Sequence, residues 1–282
     1  MKPRQNEEMG SVLVVGDIHH DLAAADRLIQ EHRSRASHVV ILGDVFDTWG
    51  DGPATMQQSC LWLAERMTDD KWTFVAGNHD VSYLSRGNRL YFCPGWAPEK
   101  QRIFERICGD LARKKMRFAV NVGPWLLTHA GVTANLIGGR SVAPLVMAAD
   151  EAWVGMLRGR SHPLLGCGRA RGGADSVGGL TWCDWRREFT PSAGIRQICG
   201  HTPCPGVVRG RHLRRDGTVN VTETYCEDPL LRLGAHPSLT DEWTSINFCI
   251  DCDLSFAALI TSAGYELLPA SDWKRDHQSH RR

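Results

Sequence analysis

Five short motifs, each carrying side chains that bind metals, follow one another along this chain, and most stand where an apolar, β-rich run gives way to a loop. They are Gly16-Asp17-Ile18-His19, Gly43-Asp44-Val45-Phe46-Asp47, Gly77-Asn78-His79-Asp80, Thr128-His129-Ala130-Gly131 and Gly200-His201-Thr202-Pro203. In an open α/β sheet the C-terminal ends of strands are where ligand-binding groups converge, so this order demands a fold that gathers those ends. Singly the motifs say little. A DxH after a strand is common, and a lone GDxxD serves as a turn with capping acids; GNHD is more specific, because a tight turn does not require His followed by Asp. Carboxylate, imidazole and amide-oxygen donors together suit manganese(II), iron or zinc, whereas calcium or magnesium rarely takes three histidines. A dinuclear centre follows.

The pattern between the motifs is a repeated unit of apolar run, polar loop and helical periodicity, which argues for an α/β layered fold. Strands are expected at 12–16, 38–43, 72–77 and 124–129. Helices are expected at 21–33, with Leu22, Ala25, Leu28 and Ile29 on one face, at 54–67, with Leu61, Leu63 and Ala64 inward, and at 99–115, with Ile103, Phe104 and Ile107 as a stripe. The second half is less regular; 195–199, 206–209, 218–222, 246–251 and 256–261 read as short strands of a second sheet. The Gly-, Arg- and Ser-rich stretch 159–179 reads as a long loop, and loops of that length are commonly functional. We expect one domain over 12–270, with flexible tails at 1–11 and 271–282.

Composition excludes several classes. With 33 basic and 32 acidic residues the formal net charge is +1, so no global field draws the chain to nucleic acid or to an anionic membrane. No apolar run is long enough to span a bilayer and the first residues are polar, so we expect a cytoplasmic protein. Its ten cysteines are scattered and read as reduced thiols. The pair Cys249-x-x-Cys252, in the alternating run 246–254, reads as core rather than as half of a zinc site, which would need four ligands.

With DxH, GDxxD, GNHD, H and GH in order, the sequence resembles the calcineurin-like metallophosphoesterase superfamily. GDIHHDL, VILGDVFD, THAG and CGHTP look most like its phosphoprotein phosphatase branch, which includes bacterial and phage Ser/Thr phosphatases and symmetrical diadenosine tetraphosphate hydrolases. The resemblance implies a four-layer α-β-β-α sandwich of two mixed sheets flanked by helices. It implies two divalent transition metals, manganese first and iron or zinc as alternatives, with Asp17 and His19 on one, Asp44 bridging, and Asn78, His129 and His201 on the other. By the same resemblance His79 protonates the leaving group and Asp47 orients it, while a water between the metals attacks without a covalent enzyme intermediate.

Phosphoprotein phosphatases usually carry Arg directly after the acid equivalent to Asp47 and another before GNH; here these are Thr48 and Ala76. Neither replaces the planar, doubly donating guanidinium. Arg186 and Arg187, in a Trp-containing segment before GHTP, are the candidate substitutes, with Arg86 and Arg89 weaker ones. His20 stands where the motif usually has Gly and is expected to face substrate or solvent. Trp49, Trp182 and Trp185 are either pocket walls or packing. Three functions fit: a phosphomonoesterase acting on phosphoproteins or small phosphates, a dinucleoside polyphosphate or phosphodiester hydrolase, and a non-catalytic scaffold. Oligomeric state is not legible.

Overall fold

Four consecutive apolar residues with no solvent-facing side, Val12–Val15 (β1), form a strand that must be covered on both faces, and it stands at the centre of a sheet. The structure is a computed structural model and describes residues 10–224 and 243–271. The other strands are β2 (His38–Ile41), β3 (Trp72–Phe74), β4 (Ala119–Val122), β5 (Trp125–Thr128), β6 (Arg196–Cys199), β7 (Val208–Arg214), β8 (Val219–Thr224), β9 (Trp243–Ser245), β10 (Asn247–Cys249), β11 (Phe256–Thr261) and β12 (Gly264–Pro269). Helices are α1 (Leu22–His32), α2 (Pro53–Arg66), α3 (Asn78–Leu84), α4 (Pro98–Phe104), α5 (Asp110–Lys115), α6 (Ala134–Ile137) and α7 (Val142–Leu157).

The first sheet runs β12-β11-β1-β2-β3, with β1, β2 and β3 parallel and β11 and β12 antiparallel at its far side. The second runs β4-β5-β6-β10-β7-β8, with β9 pairing onto β7; β5, β6 and β10 are parallel. Aromatic rings join the two sheets: Trp125 and Phe248 of the second lie 5.2 and 5.0 Å from Tyr265 of the first. Helices flank both, α1 on β1 and α7 on β4, so the α/β fold with two mixed sheets is the one expected.

α1 begins where Asp21 accepts the Ala24 N–H and buries Ala25, Leu28 and Ile29. α2 departs from expectation only at Leu61, since Leu63 is buried and Ala64 packs against the core as expected. Its inward face is Met56, Ser59, Cys60, Trp62 and Leu63, whereas Leu61 is 53 % exposed. Met56, Cys60 and Leu63 recur at four and three residues, and Leu61 lies about 100° round from Cys60. The helix expected at 99–115 is α4 and α5 joined by one wide π turn at Glu105–Gly109, with Phe104 buried and Ile103 and Ile107 partly so.

The strand expected at 206–209 starts at Val208 and runs on to Arg214, and the one expected at 246–251 is the shorter β10. β4, β12 and the apolar α7 were not foreseen. Stretch 159–179 is the expected loop, stiffened by single turns at Pro163–Leu165 and Arg169–Arg171. Cys249 and Cys252 are buried without a disulfide, as core cysteines. The expected tails fall outside the described residues, apart from Gly10, Ser11 and Ser271.

Two chain reversals after β2 and β3 touch at their glycines. Gly43 has φ +107°, and a Cβ there would sit 2.4 Å from the Gly77 nitrogen. Gly43→Ala is expected to destabilise by roughly 1–3 kcal/mol from the overlap and by about as much again from the backbone strain, read by urea unfolding. An unchanged midpoint would show that the two loops part without loss.

Candidate metal centre

Each expected ligand leaves the C-terminal end of a strand: Asp17 and His19 after β1, Asp44 after β2, Asn78 after β3, His129 after β5 and His201 after β6. The reversals are tight. Of eight non-glycine residues with positive φ among the described residues, His19, His20, Asp44, Asp47 and His201 belong to these loops, the clustering of strain expected where a site is over-determined by its surroundings. The loops are tied together. The Asp44 carbonyl accepts the N–H groups of Ile18 and His19 at 3.1 and 2.7 Å, and both Asp17 carboxylate oxygens accept the His201 N–H at 3.1 and 3.2 Å. Asp80 accepts Val45 N–H and Gly77 N–H, 3.0 and 2.9 Å, which explains the acid that the GNHD turn does not itself need.

The six side chains converge. His19 Nε2 lies 4.0 Å from Asp17 Oδ2 and 3.7 Å from Asp44 Oδ2, and His129 Nε2 lies 3.3 Å from Asp44 Oδ2 and 3.1 Å from His201 Nδ1. Asp44 thus stands between two sets of donors. The rings are aimed by backbone carbonyls: His19 Nδ1–H donates to Asp47 O at 2.7 Å and His129 Nδ1–H to Leu42 O at 2.9 Å, which turns each Nε2 lone pair inward. This is how a metal-binding imidazole is normally held.

Asn78 tests the fit most directly. Its inward amide atom, the oxygen, lies 3.0 Å from His129 Nε2, 2.9 Å from His201 Nδ1, 3.3 Å from Asp44 Oδ2 and 3.2 Å from Thr181 O. Five acceptor atoms face one another with at most one proton to share, an arrangement that a cation satisfies, or the NH2 group of a turned amide. The residues fit two metal ions.

Charge tells the same story. Burial opposes a charged His129, yet Asp44 and Asp17 push its pKa up to about 10, so in the metal-free protein it carries the proton that stands in for the cation. Burial, then His129 and Arg171, holds His201 well below the usual imidazole range. A metal ion taken up by His129 Nε2 would displace its proton. Loading at pH 7 is therefore expected to release protons, and the apparent affinity to rise with pH toward about 10. Calorimetry in buffers of different ionisation enthalpy measures this; loading without proton release would mean that His129 Nε2 is not a donor to the metal.

Beside this cluster His79 Nδ1 lies 3.2 Å from Asp47 Oδ2, and its ring meets that of His19 edge-on at 5.2 Å. The other Asp47 oxygen accepts the Tyr83 hydroxyl at 2.6 Å and Lys100 Nζ at 2.8 Å. Burial works against ionised Asp47, but His79, Lys100 and Tyr83 bring its pKa below the usual carboxylate value. Lys100 also meets Asp51 at 2.9 Å. A further group of potential ligands, His20, Asp47 and Asp51, therefore already holds a cation, the ammonium of Lys100.

The expected substrate contacts fare differently. His20 faces neither substrate nor solvent: its side chain is 3 % exposed, with Nδ1 2.7 Å from Ser59 Oγ and Nε2 2.9 Å from Asp51 Oδ2. A positive φ turns it behind the loop. Arg186 is exposed and donates to Pro203 O at 2.5 Å, Arg187 is exposed, and neither makes a hydrogen bond or ion pair to the cluster. Arg86 pairs with Glu105 instead. The guanidinium beside the site is Arg171, from the long loop, on Thr202 Oγ1 at 3.0 Å and Asp184 Oδ2 at 3.0 Å. Only the Arg-rich composition of that loop pointed to it. Trp185 is core, stacked on Phe189; Trp182 packs against His201, and Trp49 is 99 % exposed.

An α/β fold that converges two carboxylates, three imidazoles and an amide at its strand ends, with a further imidazole alongside, offers the donor set of a metal centre. The family model for calcineurin-like phosphoesterases matches residues 10–205, and the chain belongs to that family. It is a phosphoric ester hydrolase of a family that depends on a dinuclear metal centre. Among solved structures it is similar to a proposed diadenosine tetraphosphatase (15% identity over 93% of this chain and 94% of that one, TM-score 0.41). A metallophosphoesterase from Sphaerobacter thermophilus (12%, 96% and 93%, 0.41) is also similar. So is a Saccharomyces cerevisiae Ser/Thr phosphatase with similarity to human phosphatase PP5 (12%, 93% and 80%, 0.41). No curated protein matches the chain. No helix among the described residues is long and apolar enough to cross a membrane.

Proposed function

We propose that the chain is a phosphatase of the phosphoprotein phosphatase-like branch, hydrolysing phosphate monoesters of proteins or of small alkyl and aryl alcohols. The observation that carries this is the His79–Asp47 pair placed against the ligand cluster, with ligand atoms of His79, His19 and Asp44 all within 4.8 Å of one another. Asp17 and His19 would hold one ion, Asp44 both, and Asn78, His129 and His201 the other. The mixed imidazole and oxygen donors favour manganese, with iron or zinc as alternatives. When bound, the two ions supply an acidified water and neutralise charge on the phosphoryl oxygens.

The chain's own residues do the rest. Against the opposing effect of burial, Asp44 and Asp47 push His79 up to about 11, so it is an imidazolium able to give a proton to the departing alkoxide. Cations beside Asp44 would cancel part of that field and bring the acid back toward neutrality, where proton transfer is most effective. Asp47, pinned by Lys100 and Tyr83, keeps the ring from turning. Arg171, which donates to His201 O and Thr202 Oγ1, would take the place of the missing phosphate clamps. A cytoplasmic location belongs to this reading, supported by the nine described cysteines standing as free thiols.

Phosphate release from phenyl phosphate by metal-stripped protein, with and without manganese(II), is the test. Manganese-dependent release is expected; no release from any monoester despite bound metal would sink the reading. The fully exposed Trp49, two residues from Asp47, supports a second one, a dinucleoside polyphosphate hydrolase with an aromatic base stacked on that ring. Turnover of diadenosine tetraphosphate but not of phosphopeptides would favour it.

A further inference from the structure

A carboxamide can bind a cation only through its oxygen, and its two ends have nearly the same shape, so something must choose which end of Asn78 faces the cluster. The cluster itself chooses wrongly. His129 Nε2 can give the amide oxygen one proton, but toward His201 Nδ1, Asp44 Oδ2 and Thr181 O, all within 3.3 Å, an amide left to itself would turn its NH2 group and donate. The opposite choice has to come from the far side. There Asn78 Nδ2 lies 3.1 Å from Cys93 Sγ. Cys93 is 1 % exposed, its N–H donates to Ser82 Oγ at 2.8 Å, and that hydroxyl donates to Tyr91 O at 3.0 Å. The sulfur is therefore anchored to α3, the helix that begins at Asn78 itself.

We propose that Cys93 is a positioning residue for the metal centre: its sulfur accepts a hydrogen bond from Asn78 Nδ2 and holds the amide oxygen toward the ion shared with His129 and His201. Sulfur is a weak acceptor, but it offers Asn78 Nδ2 a partner that an aliphatic side chain cannot. Buried without that partner, the NH2 group would turn inward to the lone pairs that the amide oxygen now faces. The inference rests on Asn78 being a ligand.

The test measures manganese(II) binding to the metal-stripped full chain by titration calorimetry and by electron paramagnetic resonance, independent of turnover. Cys93→Val is expected to weaken one of two ions about 10–100-fold, as loss of a ligand's outer partner does. Cys93→Ser, which keeps an acceptor, is expected to recover most of that loss. Urea unfolding of the metal-free variants checks that both fold. Wild-type affinity in Cys93→Val, or a serine variant no better than valine, overturns the proposal. So does a sulfur-to-metal charge-transfer band in the cobalt(II) protein that Cys93→Val abolishes, since the thiol would then bind metal itself. Asn78→Ala separates the two levels: if it too binds both ions normally, the ligand assignment fails, and if it alone weakens binding, only the role of Cys93 fails.

Discussion

His79→Ala is expected to lower kcat for an alkyl phosphate about 10²–10⁴-fold while both metals remain bound. The imidazole is not among the six converging ligands, so its loss leaves their lone pairs in place; what disappears is the proton for the leaving oxygen. Because a nitrophenolate departs without protonation, the same variant is expected to lose much less on nitrophenyl phosphate. That contrast separates acid catalysis from a general disturbance of the pocket. An equal loss on both substrates would assign His79 to binding the phosphoryl group, and loss of metal would assign it to building the centre. Asp47→Asn is expected to follow the same pattern more weakly, because an amide still meets Nδ1–H while removing the charge that stabilises the imidazolium.

The second large effect is expected at a residue outside the motifs. Lys100 is buried, with 2.8 Å to Asp47 and 2.9 Å to Asp51, and both carboxylates are themselves almost inaccessible to water. Lys100→Met keeps the stem and removes the charge, leaving Asp51 without a cation and Asp47 with His79 alone. Breaking a buried ion pair from one side costs about 3–5 kcal/mol, and urea unfolding of the metal-free protein measures it. Asp51→Asn added to Lys100→Met is expected to return part of that stability, since one of the stranded charges is gone. If the single variant is as stable as wild type, the ammonium is not what balances these acids.

The split between what was legible and what was not follows the range of the interactions. The six converging side chains could be named from residues 16–203 because each sits in a short motif at the end of an apolar run, and strand and turn propensity are local properties. A second sheet was legible for the same reason, whereas the mixed character of both sheets came from the family resemblance, and α7 and β12 were missed. α7 is apolar nearly all round and shows no clean period.

What surrounds the ligands was not legible. Asp47 is pinned by Tyr83 and Lys100, 36 and 53 residues away; His20 is turned onto Ser59, 39 residues away; and Asn78 meets Cys93 fifteen residues on, across a turn. Arg171 rather than Arg186 reaches the site because loop 159–179 folds back onto Thr202. A motif specifies which atoms a strand end presents. Which partner each buried donor and acceptor finds is decided only when distant elements pack, because a polar side chain shut away from water must take whatever group the fold puts within about 3 Å.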